Sequence, residues 1–211
     1  MKEVTMVFNV YRFEELNEKA KKVVKQWYLD GQDSSDFNDI LKSELDLFFP
    51  NSELNANYSL NYRQGDGVNI HGIISLKDVL EFSTLHQLNG FYPKMKEVFT
   101  EKQIKTLNFY FKQISDYAIE LPQTRGYHAC SAVMAHVETS LIESLKYDKI
   151  RDINKKLIKN FEKFFIESLM ILTKEFEEKG YDFFYEISKE DLQEHCESND
   201  YWFYENGEFY E

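Results

Sequence analysis

Cysteine is nearly absent from this chain: Cys130 and Cys196 are the only two in 211 residues. Two thiols cannot build the disulfide framework of a small secreted domain, so a reducing compartment, the cytoplasm, is the expected location. Proline (3) and glycine (8) are scarce as well, which argues against long flexible linkers and low-complexity segments. Long hydrophobic runs are missing. The most apolar stretch, Phe164 to Leu172, is short and interrupted by Glu167 and Ser168, so no membrane span is expected. The start, Met1-Lys2-Glu3-Val4, lacks a basic stretch followed by an apolar one, so no secretory signal is expected. Neither His-Glu-x-x-His nor paired Cys-x-x-Cys spacing occurs, and no metal or cofactor is expected.

What the chain does have is aromatic side chains, 18 Phe and 14 Tyr. They bury large areas and suit a single domain covering residues 1–211. It also has acid, unevenly placed. The net charge is -12. Residues 174–211 hold 13 Asp and Glu against 3 Lys, whereas residues 146–173 hold 7 basic side chains against 4 acidic ones. An acidic surface repels nucleic-acid phosphates and favours basic partners. The segment 174–211 therefore reads either as a solvated terminal region or as a surface that meets a basic protein.

Periodicity places the elements. Val4 to Val10 alternates like a strand, and Phe13-Glu14-Glu15-Leu16 opens a helix with Leu16, Ala20, Val23, Val24 and Trp27 on one face. Gly31 suits its end, and Ser34 or Ser35 caps a second helix through Phe48, stopped by Pro50. A short helix is expected around Asp78 to Phe82, and Thr100 with Gln103 forms a capping box before another. A hairpin is expected from Asp116–Leu121 and Tyr127–Val137. The strongest helical stripe runs from Ile150 to Lys179, with Gly180 as its expected end. Lys155, Lys156, Lys159 and Lys163 form a basic edge along it. Ser188 caps a short helix over Asp191–Cys196, and Tyr201–Tyr204 and Glu208–Tyr210 flank Asn206-Gly207 as a last hairpin. Mixed strands and helices without βαβ spacing predict an α+β fold, with a mainly antiparallel sheet, helices packed on it and one long helix in the C-terminal half.

The segment from Tyr58 to Gly72 is the expected working surface. Two alternating arms flank Gly65-Asp66-Gly67, a hairpin signal. Its polar residues are chemically able ones, where a plain hairpin more often carries Thr, Lys and Glu. His71 and His128 are the candidate acid–base pair, able to drive RNA cleavage by attack of a 2′-hydroxyl. Arg63 or Arg125 would neutralise the charged intermediate, Tyr58, Tyr62 or Tyr127 would stack a base, and Gln64 and Asp66 would help hold RNA. The plain alternatives are a tight turn and two histidines that only hydrogen-bond in a polar sheet face. A nucleophile at Cys130 with His128 or His136 as base is weaker, because same-strand neighbours rarely supply that geometry. Cys196, beside His195, reads as inert.

Four pieces of the chain resemble a family of phage-, prophage- and plasmid-encoded, antitoxin-like proteins. They are Phe13-Glu14-Glu15-Leu16 with Ala20 and Trp27; Tyr58-Ser59 leading to Gln64-Gly65-Asp66-Gly67 and Gly72; Arg125-Gly126-Tyr127-His128; and Asp191 to Asn199 followed by Tyr201 to Gly207. The last is similar to a Tyr-x-Phe-Thr-x-x-Gly pattern, with Tyr204 where that pattern has Thr. The segment from Phe82 to Phe99 carries no match. The resemblance implies an inhibitor of bacterial immunity, since some members are linked to inhibition of CRISPR effector nucleases, with loss of guide RNA as one outcome. The implied partners are an RNA-guided effector ribonucleoprotein or its guide RNA. A metal-independent ribonuclease and a non-enzymatic antitoxin are the competing expectations. The enzymatic one requires residues 58–72 and 125–128 to meet in one wet cleft.

Overall fold

The computed structural model describes residues 7–61, 66–85, 95–114, 116–123, 141–147, 150 and 152–210, with backbone alone for 83–85. The fold is α+β, with an antiparallel sheet and one long helix, as the sequence predicts. Strands β1 (Glu53–Ser59), β2 (Gly67–Ser75) and β3 (Ala118–Leu121) pair in that order. The helices are α1 (Glu18–Asp30), α2 (Ser34–Phe48), α3 (Leu76–Leu85), α4 (Met95–Val98), α5 (Glu101–Gln113), α6 (141–147), α7 (Lys155–Tyr185) and α8 (Lys189–Ser198). Contacts divide the chain into two compact units, Met1–Asp36 with Lys179–Glu211, and Phe37–Glu178.

In the Phe37–Glu178 unit the sheet has one apolar face. Leu54, Val68, Ile70, Ile74, Ile119 and Leu121 are buried, and the register Ala56↔Ile70 and Ile74↔Ile119 puts them on the same side. Gly72 stands opposite Leu54 with φ +124, and a Cβ there would lie 2.2 Å from the Glu53 carbonyl oxygen. Only glycine fits this crossing. The Asp78 carboxylate is fully buried and ties the start of α3 to the turn before β1. It accepts from the Asn51 backbone N–H at 2.8 Å, from Asn51 Nδ2 at 2.6 Å and from the Ser52 hydroxyl. Ser52 Oγ in turn accepts the Ser75 N–H at 2.9 Å. On β1, the Lys42 ammonium donates to the Leu54 carbonyl at 3.0 Å while pairing with Asp46 at 2.7 Å.

Helix α7 is buried on most of its circumference. Phe161 packs on Phe111 with centroids 4.9 Å apart, and Phe165 meets Phe82, itself 4.7 Å from Phe49. Lys155, Lys156, Lys159 and Lys163 lie on its exposed stripe. The helix starts at Lys155 rather than Ile150, because Asn154 Oδ1 caps it by accepting the Leu157 N–H at 3.1 Å. It also passes through Gly180 to Tyr185. A glycine in mid-helix costs about 1 kcal/mol relative to alanine. Burial of a single aromatic such as Phe176, which is fully buried, contributes about 1.5–3 kcal/mol and outweighs it. The Thr100–Gln103 capping box forms as predicted.

In the other unit, Phe13–Glu15 is a 3-10 turn and not the first turn of α1. The helix begins after Asn17, whose Oδ1 accepts the Lys19 and Ala20 N–H groups. Residues 7–10 lie in no strand, contrary to the alternation; pairing starts at Tyr11, which bridges Phe203. Phe203 also bridges Phe209, so the last hairpin is present as single bridges. The core comprises Phe13, Leu16, Ala20, Val24, Leu192, Cys196 and Phe203. Trp27 stacks on Phe209 at 4.9 Å. Ser188 caps α8 through the Asp191 N–H at 3.0 Å, and α2 is capped by Asp33, whose Oδ1 accepts the Ser35 N–H at 2.8 Å.

Candidate functional site

The hairpin of β1 and β2 presents a polar face opposite its apolar one. Asn55 stands directly across from His71, and Asn57 across from Asn69. Alternation puts these four with Glu53, Ser59 and Ser75 on the same side. Side-chain amides offer both donors and acceptors, and an imidazole exchanges a proton near neutral pH. His71 is half-buried, and its Nδ1 is shielded from water with no hydrogen-bond partner among the described residues. A desolvated nitrogen without a partner is costly in a purely structural histidine.

The other hairpin residues have different placements. Tyr58 is on the apolar side, opposite Val68, with its ring edge-on to Phe37 at 5.0 Å. It thus faces away from His71. Asp66 accepts the Asn61 N–H at 2.6 Å and the Ser59 hydroxyl at 3.4 Å. Tyr62, Arg63, Gln64, Arg125, Tyr127 and His128 lie outside the described residues, as do Cys130 and His136. Among the described residues, no group of three or more His, Cys, Asp or Glu is placed to hold a metal ion, and no helix is long and apolar enough to cross a membrane.

The Met1–Asp36 and Lys179–Glu211 unit carries a second surface. Its sequence holds 17 Asp and Glu against 8 Lys and Arg, a net -9 of the chain's -12. Glu190, Glu194 and Glu197 are exposed along one side of α8. Lys189 bridges to Glu18 at 3.1 Å, and that hydrogen bond, with the lysine's charge, holds the Glu18 carboxyl below the usual range. Arg12 pairs with Asp200 and lays its guanidinium 3.8 Å over the Trp202 ring. Cys196 is buried, and burial pushes its thiol up to about 11, so it is a packing residue and not a nucleophile.

An open groove of about 670 Å³ lies in the same unit, lined by residues of 7–17 and 204–208. Sequence reasoning passed over it, because its two walls are nearly two hundred residues apart. On one wall Val7 and Phe8 are 88% and 57% exposed. No protein-family model, curated protein or solved structure matches the chain.

Proposed function

We propose that the protein is a mobile-element-encoded inhibitor of bacterial immunity, an anti-CRISPR that binds an RNA-guided effector nuclease and occupies its basic nucleic-acid channel. The supporting observation is the folded state of the acidic C-terminal segment. Residues 179–210 form helix, cap and turn against α1, so their carboxylates sit on an ordered surface rather than on a solvated tail. Fixed carboxylates complement a basic channel at low entropic cost. Nuclease inhibition measured against ionic strength tests this. Inhibition weakens steeply as salt rises, and the triple variant Glu190→Gln, Glu194→Gln, Glu197→Gln is weaker by about tenfold or more. Unchanged inhibition by that variant rules out the electrostatic mode.

A second reading is favoured by the shielded Nδ1 of His71: metal-independent cleavage of guide RNA. One base removes the 2′-hydroxyl proton, the oxygen attacks the adjacent phosphorus, and an acid protonates the departing 5′-oxygen, leaving a 2′,3′-cyclic phosphate. His71 would fill one of the two roles. Guide RNA incubated with the protein, with and without effector and chelator, decides the matter; RNA left intact in every tube defeats it.

A further inference from the structure

The groove at residues 7–17 and 204–208 is built from aromatic rings and carboxylates. Phe8 meets Tyr204 edge-on at 5.9 Å, Tyr11 lines the same space, and Glu205 and Glu208 stand at it. Among the described residues no lysine or arginine lines it, and neither glutamate forms an ion pair. Along one wall, residues 7–10 belong to no strand, and their backbone groups have no hydrogen-bond partner among the described residues. Backbone N–H and C=O groups without partners can hydrogen-bond to an extended chain laid along them. Rings with nearby carboxylates suit a guanidinium, which stacks on an aromatic face, is weakly hydrated and donates to two carboxylate oxygens at once. The same unit already holds one guanidinium this way, Arg12 between Trp202 and Asp200.

We propose that this groove receives an arginine side chain from an extended basic segment of a partner protein. The inference rests on the acidic-surface reading and names the chemistry of the contact. Its direct test needs no effector. The 15N-labelled full chain is titrated with a capped peptide carrying two arginines between valines, and with a counterpart carrying glutamine in their place. The arginine peptide shifts the amide signals of Tyr11, Tyr204, Glu205 and Glu208, and the glutamine peptide binds at least about tenfold more weakly. Glu205→Gln with Glu208→Gln lowers affinity by a similar factor, while Glu190→Gln with Glu194→Gln, an equal charge change on α8, leaves it within about twofold.

Absence of shifts at those four residues overturns the proposal. So does equal binding of the glutamine peptide, or an equal loss in the α8 variant, which would reduce the effect to net charge. Shifts of the same signals with protein concentration alone assign the groove to a second copy and also overturn it. Peptide binding without nuclease inhibition leaves the groove assignment standing and removes the inhibitor reading; inhibition without peptide binding does the reverse.

Discussion

Gly207 faces the backbone of α1 so closely that a Cβ at this position would lie 2.4 Å from the carbonyl oxygen of Ala20. Its φ of +90 is also one that other residues adopt only under strain. Gly207→Ala is therefore expected to cost about 3 kcal/mol, from backbone strain together with the displaced helix. Urea unfolding followed by tryptophan fluorescence measures it, since Trp27 and Trp202 both report on this unit.

Asp78 is a buried acceptor for three donors on the 51–52 turn. Asp78→Ala leaves those donors without a partner and is expected to destabilise by about 3–5 kcal/mol. Asp78→Asn keeps the shape but puts an N–H group among donors, so it recovers only part of the loss. Chemical denaturation of both variants orders them: wild type, then Asn, then Ala.

Much of this framework is legible in the sequence wherever a signal is local. Asn17, Thr100 and Ser188 cap helices through their own side chains, two of them at the places the sequence predicts. The apolar stripes at Leu16, Ala20 and Val24 and at Leu157, Phe161, Phe164, Leu172 and Phe176 face the core as their spacing requires, whereas Val23, expected on the same face of α1, is 40% exposed. What is not legible depends on register or on distant partners. Tyr58 and His71 both look available in a polar hairpin, yet the pairing Tyr58↔Val68 and Asn55↔His71 assigns them to opposite faces. Register alone fixes that parity. Charge counting marks residues 174–211 as acidic but cannot show that Leu192, Cys196 and Phe203 close a core with Ala20 and Val24.

The thiol of Cys196 should contribute to stability at high pH. Its folded value, about 11, lies above the ordinary 9.0, so the folded chain retains a proton that the unfolded chain releases. This contribution is full below pH 9.0, declines as pH rises toward about 11, and is then lost. In a Cys130→Ser background, a thiol reagent at pH 8 should leave Cys196 unmodified until denaturant is added. The opposite sign holds for Glu18: its lowered carboxyl favours the fold above the usual carboxylate range, and that contribution disappears as pH falls through the lowered value.

At His71, function and stability are expected to oppose each other. The Nδ1, shielded from water and without a hydrogen-bond partner among the described residues, costs the folded state, so His71→Val, a good strand residue, should stabilise by about 1 kcal/mol. If cleavage of guide RNA accompanies inhibition, the same variant abolishes it. Parallel melting curves and RNA assays on one preparation test both halves. A destabilised variant contradicts the expectation.

Lys42 has a consequence for life at high concentration. By seating its ammonium on the Leu54 carbonyl while held by Asp46, it places a hydrated positive charge on a strand that a sister molecule would otherwise extend. Neighbouring copies approaching that border must strip the cation of water and of its carboxylate before they can stack. A single side chain thus helps keep crowded copies apart, and Lys42→Met is expected to seed fibrils that the parent chain does not.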